Sequence, residues 1–211
     1  MTPVETRNKK LGEKVVKALN ARHFEAYYCE NKEEALEKAL SLIDETALIG
    51  WGGSETCAQV GLIDALRKRN PVIDRDTAKT ADERMELMRK CLLSDVFVTG
   101  ANAISEDGQL VNIDGNGNRV AAMTFGPKSV VVLAGINKVV KTVDDALTRA
   151  HTVAAPINAQ RFEGIKTGCA VTGTCENCSG TDSICCYLET IRLCRPAGKI
   201  KVILIGEPLG F

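Results

Sequence analysis

Six of the nine cysteines fall in one short stretch near the C-terminal end of the sequence. After the first of these, the intervals to the next three are five, two and six residues. Thiolates separated by two residues can both face one metal, and the glycines and threonines around them let the backbone wrap a compact inorganic centre. We therefore predict a metal centre with four thiolate ligands: Cys169, Cys175, Cys178 and Cys185.

Four thiolates suit either a [4Fe–4S] cluster or a tetrahedral zinc ion. Zinc ribbons usually carry two C-x-x-C pairs, and this chain has one, so the spacing favours the iron–sulfur cluster. Zinc stays open as the alternative, as do thiols without a metal. Cys186 is a near neighbour of the predicted ligands and Cys194 is spare; neither has an assigned role.

A glycine-rich turn, Ile49–Thr56, follows a predicted strand and precedes a predicted helix. Backbone N–H groups in such a turn can converge on an anion, and hydroxyl side chains can add donors. The alternative is a tight turn with no ligand, and Trp51 favours a ligand site slightly. The predicted ligand-binding residues of this turn are Gly52, Gly53, Ser54 and Thr56.

A second candidate loop runs from Thr99 to Gly108, directly after a buried strand, where open α/β sheets place ligands. Asn102 is predicted to orient the ligand, and Glu106 is the candidate catalytic base. An ordinary turn made by the Asp-Gly pair is the competing interpretation.

Three basic residues, Arg119, Lys128 and Lys138, could receive a carboxylate or a phosphate. We assign Arg119 and Lys128 to the ligand and interpret Lys138 as a solvated surface lysine.

The elements that must position these residues alternate between strand and helix. Capping patterns begin helices at Thr2, Asn31 and Thr80. The valine-rich runs 95–99 and 129–134 are typical of strands buried on both faces of a parallel sheet. Further strands are predicted at 24–29, 46–49, 72–73 and 201–205, and further helices at 54–69 and 143–158.

Between the two valine-rich strands the alternation breaks. Residues 109–113 and 119–124 look like paired strands around a turn rich in asparagine and glycine. The predicted fold is therefore α/β: a three-layer α/β/α arrangement with an open, mostly parallel sheet, an inserted β-hairpin and a Cys-rich C-terminal segment. We treat residues 1–211 as a single domain that includes the metal-binding segment 165–195.

Composition limits the class of protein. The 27 basic residues balance the 27 acidic ones, which disfavours nucleic-acid binding. No apolar run is long enough to span a membrane, and the N-terminal residues do not resemble a signal peptide, so we expect a cytoplasmic protein with reduced thiols. The scattered Cys29, Cys57 and Cys91 are then expected to be core residues. A homodimer is the default expectation for an oligomer.

The sequence resembles the LUD-domain family, which includes the lactate-utilisation proteins. The resemblance is densest in the runs 95–104, 106–114, 117–120, 125–128 and 134–138. It implies a fold similar to that of the sugar-isomerase and CoA-transferase class. The segment Thr172–Cys178, with Cys185 beyond it, is also similar to a cysteine region in one branch of the family.

The resemblance implies a redox protein that passes electrons in the oxidation of lactate or a similar small hydroxy acid, together with redox partner proteins. One alternative is a non-redox enzyme acting on a phosphosugar or acyl-CoA, with Glu106 as base or nucleophile and a structural zinc. Another is a non-catalytic regulatory or assembly subunit that senses a small carboxylate or the redox state.

Overall fold

The structure, a computed structural model, describes residues 1–211 and contains two β-sheets. The strands are β1 (Glu25–Cys29), β2 (Ile49–Trp51), β3 (Val72–Ile73), β4 (Val96–Gly100), β5 (Ala103–Ser105), β6 (Leu110–Asp114), β7 (Ser129–Gly135), β8 (Val139–Val140), β9 (Tyr187–Ile191) and β10 (Ile200–Ile205). The α-helices are α1 (Pro3–Ala21), α2 (Lys32–Ser41), α3 (Glu55–Gln59), α4 (Leu62–Arg69), α5 (Ala81–Cys91), α6 (Asn118–Thr124), α7 (Val143–Arg149), α8 (Ala155–Ala159) and α9 (Gly168–Thr172).

The larger sheet has the order β1-β10-β7-β4-β2-β3, and all its neighbouring strands are parallel. Helices α1, α5 and α6 bury apolar side chains against one face, and α2, α3 and α4 against the other. Strands β4 and β7 are buried on both faces, which explains their valine-rich sequences. The predicted three-layer α/β/α fold is confirmed.

The smaller sheet has the order β8-β5-β6-β9. Strands β5 and β6 form the antiparallel hairpin, and α7 covers them through a small cluster of buried residues that includes Ala146. Strand β9 belongs to the Cys-rich segment and pairs with β6 over five residues, Tyr187 to Ile191. The C-terminal part of the Cys-rich segment is therefore a strand of this sheet.

The sequence prediction placed the second strand of the hairpin wrongly. Residues 119–124 lie in helix α6, and the partner of β6 in the hairpin is the preceding strand β5. Gly117 adopts a left-handed conformation with φ of 78° and starts the helix. The Asp114 carboxylate then accepts hydrogen bonds from the backbone N–H groups of Arg119 and Val120, at 2.8 and 3.3 Å. This local cap stabilises a helix that a turn-based pattern search cannot recognise.

Other predicted elements differ in their limits. The predicted helix 54–69 is interrupted at Gly61, whose φ is 77°, and becomes α3 and α4.

The helix caps at Thr2, Asn31 and Thr80 are confirmed, each with a side-chain oxygen accepting a backbone hydrogen bond. None of the helices combines the length and the apolar character needed to cross a bilayer.

Candidate functional site

A cleft of about 440 Å³ opens where β2 and β4 end. The chain continues from β2 into α3 on one face of the sheet, and from β4, through the smaller sheet, into α6 on the other face. Loops that leave neighbouring parallel strands in opposite directions form the crevice in which open α/β sheets bind ligands. The cleft therefore lies where this fold class favours a ligand.

The two loops meet at Ser54 and Gly100. The Ser54 side chain begins α3 by accepting a hydrogen bond from the Cys57 backbone N–H at 3.2 Å. A Cβ atom at position 100 would lie 2.7 Å from Ser54 Oγ, so a larger residue there would displace the hydroxyl that caps α3. Gly53 and Ser54 line the cleft, whereas Gly52 lies behind it against the Arg119 side chain.

Arg119 lines the cleft and connects the strands around it. Its guanidinium donates to the Gly100 carbonyl at 3.0 Å and to Asn112 Oδ1 at 2.8 Å. It also donates to Asn102 Oδ1 at 2.6 Å and to the Ile113 carbonyl at 2.7 Å. All four terminal N–H groups are therefore used within the protein. Arg119 supplies positive charge and rigidity, and is not available in this arrangement for the bidentate capture of a carboxylate.

Three further arginines line the cleft: Arg75, Arg84 and Arg161. The Arg75 side chain is only 13% exposed, and its Nε atom is buried with no hydrogen-bond partner, although it lies 3.5 Å from Asp76 Oδ1. Burial lowers the pKa of Arg75, and the neighbouring Arg84 lowers it further. The Nη2 atom of Arg75 would lie 3.3 Å from a Cβ atom at Gly53, which lines the cleft, so the terminal nitrogen of this guanidinium can donate to an anion there. These arginines come from distant parts of the chain, so no sequence pattern signalled them.

Lys138 also lines the cleft, from the turn that follows β7. The residue is 4% exposed, so the prediction of a solvated surface lysine was wrong. Its Nζ donates to Thr56 Oγ1 at 2.9 Å and to the Ala101 carbonyl at 3.0 Å. The position of Lys138 directly after a buried strand was the signal that could have identified it.

The cleft has more basic than acidic side chains. Its basic residues are Arg75, Arg84, Arg119, Lys138 and Arg161, and its acidic residues are Glu55, Asp114 and Asp182. Two of these carboxylates are already engaged, because Asp114 caps α6 and Asp182 accepts from the Lys166 backbone N–H at 3.0 Å. The four arginines outnumber the three carboxylates even if Lys138 is uncharged, and this excess of positive charge favours an anionic ligand.

Three residues from the sequence predictions lie elsewhere. Lys128 precedes β7, at the opposite end of the sheet, where it is exposed and pairs with Asp95 at 3.0 Å. Glu106 is not part of the cleft lining, and its carboxylate pairs with Lys14 and Lys141. Trp51 is 2% exposed and belongs to the core, so it does not form a wall of the cleft.

A second cavity, of about 150 Å³, is lined by all four cysteines that the spacing selected: Cys169, Cys175, Cys178 and Cys185. His151 lines it as well, from a π-helical turn, Ala150–Ala154, between α7 and α8. Cys186 points elsewhere and donates to the Ser183 carbonyl at 3.2 Å. Cys194 is buried in the core, where its sulfur accepts from the Ile200 backbone N–H at 3.3 Å. The scattered cysteines at 29, 57 and 91 are buried, as expected.

The chemistry of the cysteine cavity fits a soft, thiolate-bound metal centre. Burial first, and then the charges of its cysteine neighbours, raise the pKa of Cys185 to about 11. A cation among these thiolates would reverse that repulsion. In this structure no three or more His, Cys, Asp and Glu side chains lie close enough together to hold one metal ion. The four thiols share a cavity without yet converging on one point.

The two cavities adjoin each other. Ile184 lines both of them, and the neighbouring residues Thr181 to Ser183 line only the cleft. The Cys-rich segment therefore forms one wall of the cleft and, on its other side, the lining of the cysteine cavity.

Comparison with solved structures supports the fold assignment. A DUF162 family protein from Deinococcus radiodurans matches with a TM-score of 0.52 and 12% sequence identity, over 94% of this chain and 98% of that one. Ribose 5-phosphate isomerase A from Neisseria gonorrhoeae matches with a TM-score of 0.35 and 20% identity, over 53% of this chain and 54% of the other. The eIF2B delta protein from Chaetomium thermophilum also has a TM-score of 0.35, with 14% identity over 66% and 54%.

The first of these likenesses concerns the fold alone, and the other two are too distant to carry an argument. No curated protein matches the sequence. A family model does match it, and covers residues 12–205, which include every lining residue of the two cavities except Phe211. The chain is a member of the LUD domain family.

Proposed function

We propose that this protein is a redox protein in which an iron–sulfur cluster, bound by Cys169, Cys175, Cys178 and Cys185, serves the oxidation of lactate or a similar small hydroxy acid. One observation carries the proposal: the four cysteines line a single cavity that shares Ile184 with a cleft suited to anions. A bound cluster would supply one-electron transfer next to the ligand.

The residues of the cleft supply binding and orientation. Arg75 and Arg84 line the cleft and offer guanidinium donors to the carboxylate of the hydroxy acid, or to the phosphate of a phosphorylated ligand. Arg119 holds the ends of β4 and β6 together and keeps Asn102 in place.

Electrons must also leave the protein. Cys178 is exposed and Cys175 partly exposed, so one side of the cysteine cavity is near the surface. This placement favours exchange with a redox partner protein. All nine cysteines are free thiols, which suits the reducing cytoplasm, the compartment that we propose.

Iron and sulfide analysis of protein purified without oxygen tests the proposal, together with a visible spectrum and electron paramagnetic resonance after reduction. The variant Cys175→Ser, Cys178→Ser should lose both iron and colour. The matched control is Cys186→Ser, which changes a cysteine of the same segment outside the cavity and should keep both.

Stoichiometric zinc without sulfide or colour would overturn the redox proposal and make the centre structural. If iron and sulfide are present, lactate should reduce the oxidised centre when added without oxygen, with one lactate reducing two centres, because its oxidation to the 2-oxo acid releases two electrons and two protons. A cluster that lactate and related hydroxy acids all leave oxidised would contradict the proposed reaction.

A further inference from the structure

The hydrogen bonds of Lys138 are those that an uncharged amine can make. A neutral amine has two N–H groups and one lone pair, whereas an ammonium has three N–H groups and none. The Nζ atom has two acceptors, Thr56 Oγ1 and the Ala101 carbonyl. Thr56 donates its own hydroxyl proton to the Leu209 carbonyl at 3.4 Å, so towards Lys138 it acts as an acceptor. Both N–H groups of a neutral amine are thus satisfied, and its lone pair remains free.

The charges around Lys138 also favour an uncharged amine. No carboxylate forms a salt bridge with it. The charged or titratable groups that face it are Arg149 from α7, Arg119 from α6 and Cys57 from α3. Burial, followed by repulsion from Arg149, lowers the pKa of Lys138 to about 7, although Cys57 opposes the shift.

A buried amine with a free lone pair is a nucleophile for carbonyl groups. Lys138 lines the same cleft as Arg75 and Arg84, so a carbonyl compound that carries an anionic group would be attracted to it. The oxidation product of a hydroxy acid, a 2-oxo acid, has both features.

We propose that Lys138 binds 2-oxo acids covalently as an imine. The Nζ lone pair forms a bond to the carbonyl carbon. The nitrogen then gives up its two protons, which the carbonyl oxygen takes up, and that oxygen leaves as water, so that a C=N bond replaces the C=O bond. No oxidant or reductant is required. The inference rests on the anion-binding cleft of the proposed function, but not on the metal centre.

Reductive trapping tests it. The protein is incubated near pH 7 with glyoxylate and cyanoborohydride, which reduces an imine to a stable secondary amine, and the modified residue is found by peptide mass spectrometry. We expect near-stoichiometric labelling of Lys138. Exposed lysines should react little, because they remain protonated at this pH. Acetaldehyde, which shares the aldehyde but lacks the carboxylate, should label Lys138 at least tenfold more slowly.

Two variants complete the test. Lys138→Met should abolish the label, while Lys141→Met, which removes an exposed lysine three residues away, should leave it unchanged. Labelling spread over surface lysines, equal rates with the two aldehydes, or no adduct at Lys138 in folded protein would each overturn the inference.

The two proposals can fail separately. An adduct at Lys138 in protein that contains only zinc would support the imine and refute the redox function. A protein with iron, sulfide and lactate-dependent reduction but no adduct would support the redox function and refute the imine.

Discussion

Trp51 and Asp76 are joined by a hydrogen bond of 3.0 Å from the indole Nε1 to a carboxylate oxygen. Burial alone would raise the pKa of Asp76, but this hydrogen bond and the neighbouring arginines lower it below the usual value. Asp76 also pairs with Arg84 at 3.2 Å. The single tryptophan thus fixes, through one carboxylate, the turn that carries Arg75 to the cleft.

Replacing this tryptophan should loosen that turn. In Trp51→Phe the carboxylate of Asp76 loses its indole donor and the core loses part of a buried side chain, so we expect the free energy of unfolding to fall by at least about 2 kcal/mol. Anion affinity should fall as well, because Arg75 and Arg84 lose their fixed positions. Urea unfolding followed by circular dichroism measures the first effect, and calorimetric titration with phosphate the second. Unchanged stability and affinity would mean that the hydrogen bond does not hold the turn.

Removing Arg75 should separate binding from stability. Arg75 is largely buried and shares its partner Asp76 with Arg84, so Arg75→Met removes a desolvated charge together with a long ion pair and should change the free energy of unfolding by less than about 1 kcal/mol. Phosphate or lactate affinity should fall about tenfold, equivalent to about 1.4 kcal/mol. Arg89→Met, which alters an exposed arginine of α5, is the matched control. Equal affinities in the two variants would remove Arg75 from the anion site.

Arg119 should behave differently from Arg75. A lysine cannot reproduce its four hydrogen bonds, so Arg119→Lys leaves buried acceptors such as the Gly100 carbonyl unsatisfied. We expect a loss of about 3 kcal/mol in the free energy of unfolding, measured by chemical denaturation. A stable variant with weak anion binding would instead indicate direct ligand contact.

Glu106 provides a test of the pH dependence of stability. Its side-chain hydrogen bonds with Lys14 and then Lys141 lower its pKa in the folded state. A depressed carboxyl pKa stabilises the fold above the unfolded pKa, and that stabilisation is lost as the pH falls through the folded pKa. Glu106→Gln should therefore lower stability by less than about 1 kcal/mol at pH 7, a difference that vanishes in acid.

The same variant should bind anions normally, because Glu106 lies outside the cleft lining. Weakened binding in Glu106→Gln would restore its candidacy as a catalytic base.

The sequence predicted what depends on local patterns. The caps at Thr2, Asn31 and Thr80 and the buried strands β4 and β7 were identified because their signals lie within a few residues of each other. Helix α6 was mistaken for a strand because its start depends on a carboxylate cap and a left-handed glycine, which look like turn residues.

The site was only partly accessible to the same reasoning. The turn containing Ser54 was found because glycines after a strand indicate a close approach of the backbone. Arg75 and Arg161 could not be found, since their proximity to the cleft depends on how distant elements pack. Lys128 was assigned to the ligand because the sequence does not reveal at which end of a strand a charge will face a cavity.

Strand β9 has a consequence for how an inorganic centre would be acquired. The C-terminal part of the Cys-rich segment is attached to the body of the protein by the pairing of β9 with β6 and by Cys194 in the core. Neither attachment involves the four candidate ligands. Cluster loading would therefore be a late, local event on an already folded acceptor, and biosynthesis of this chain would not have to wait for iron.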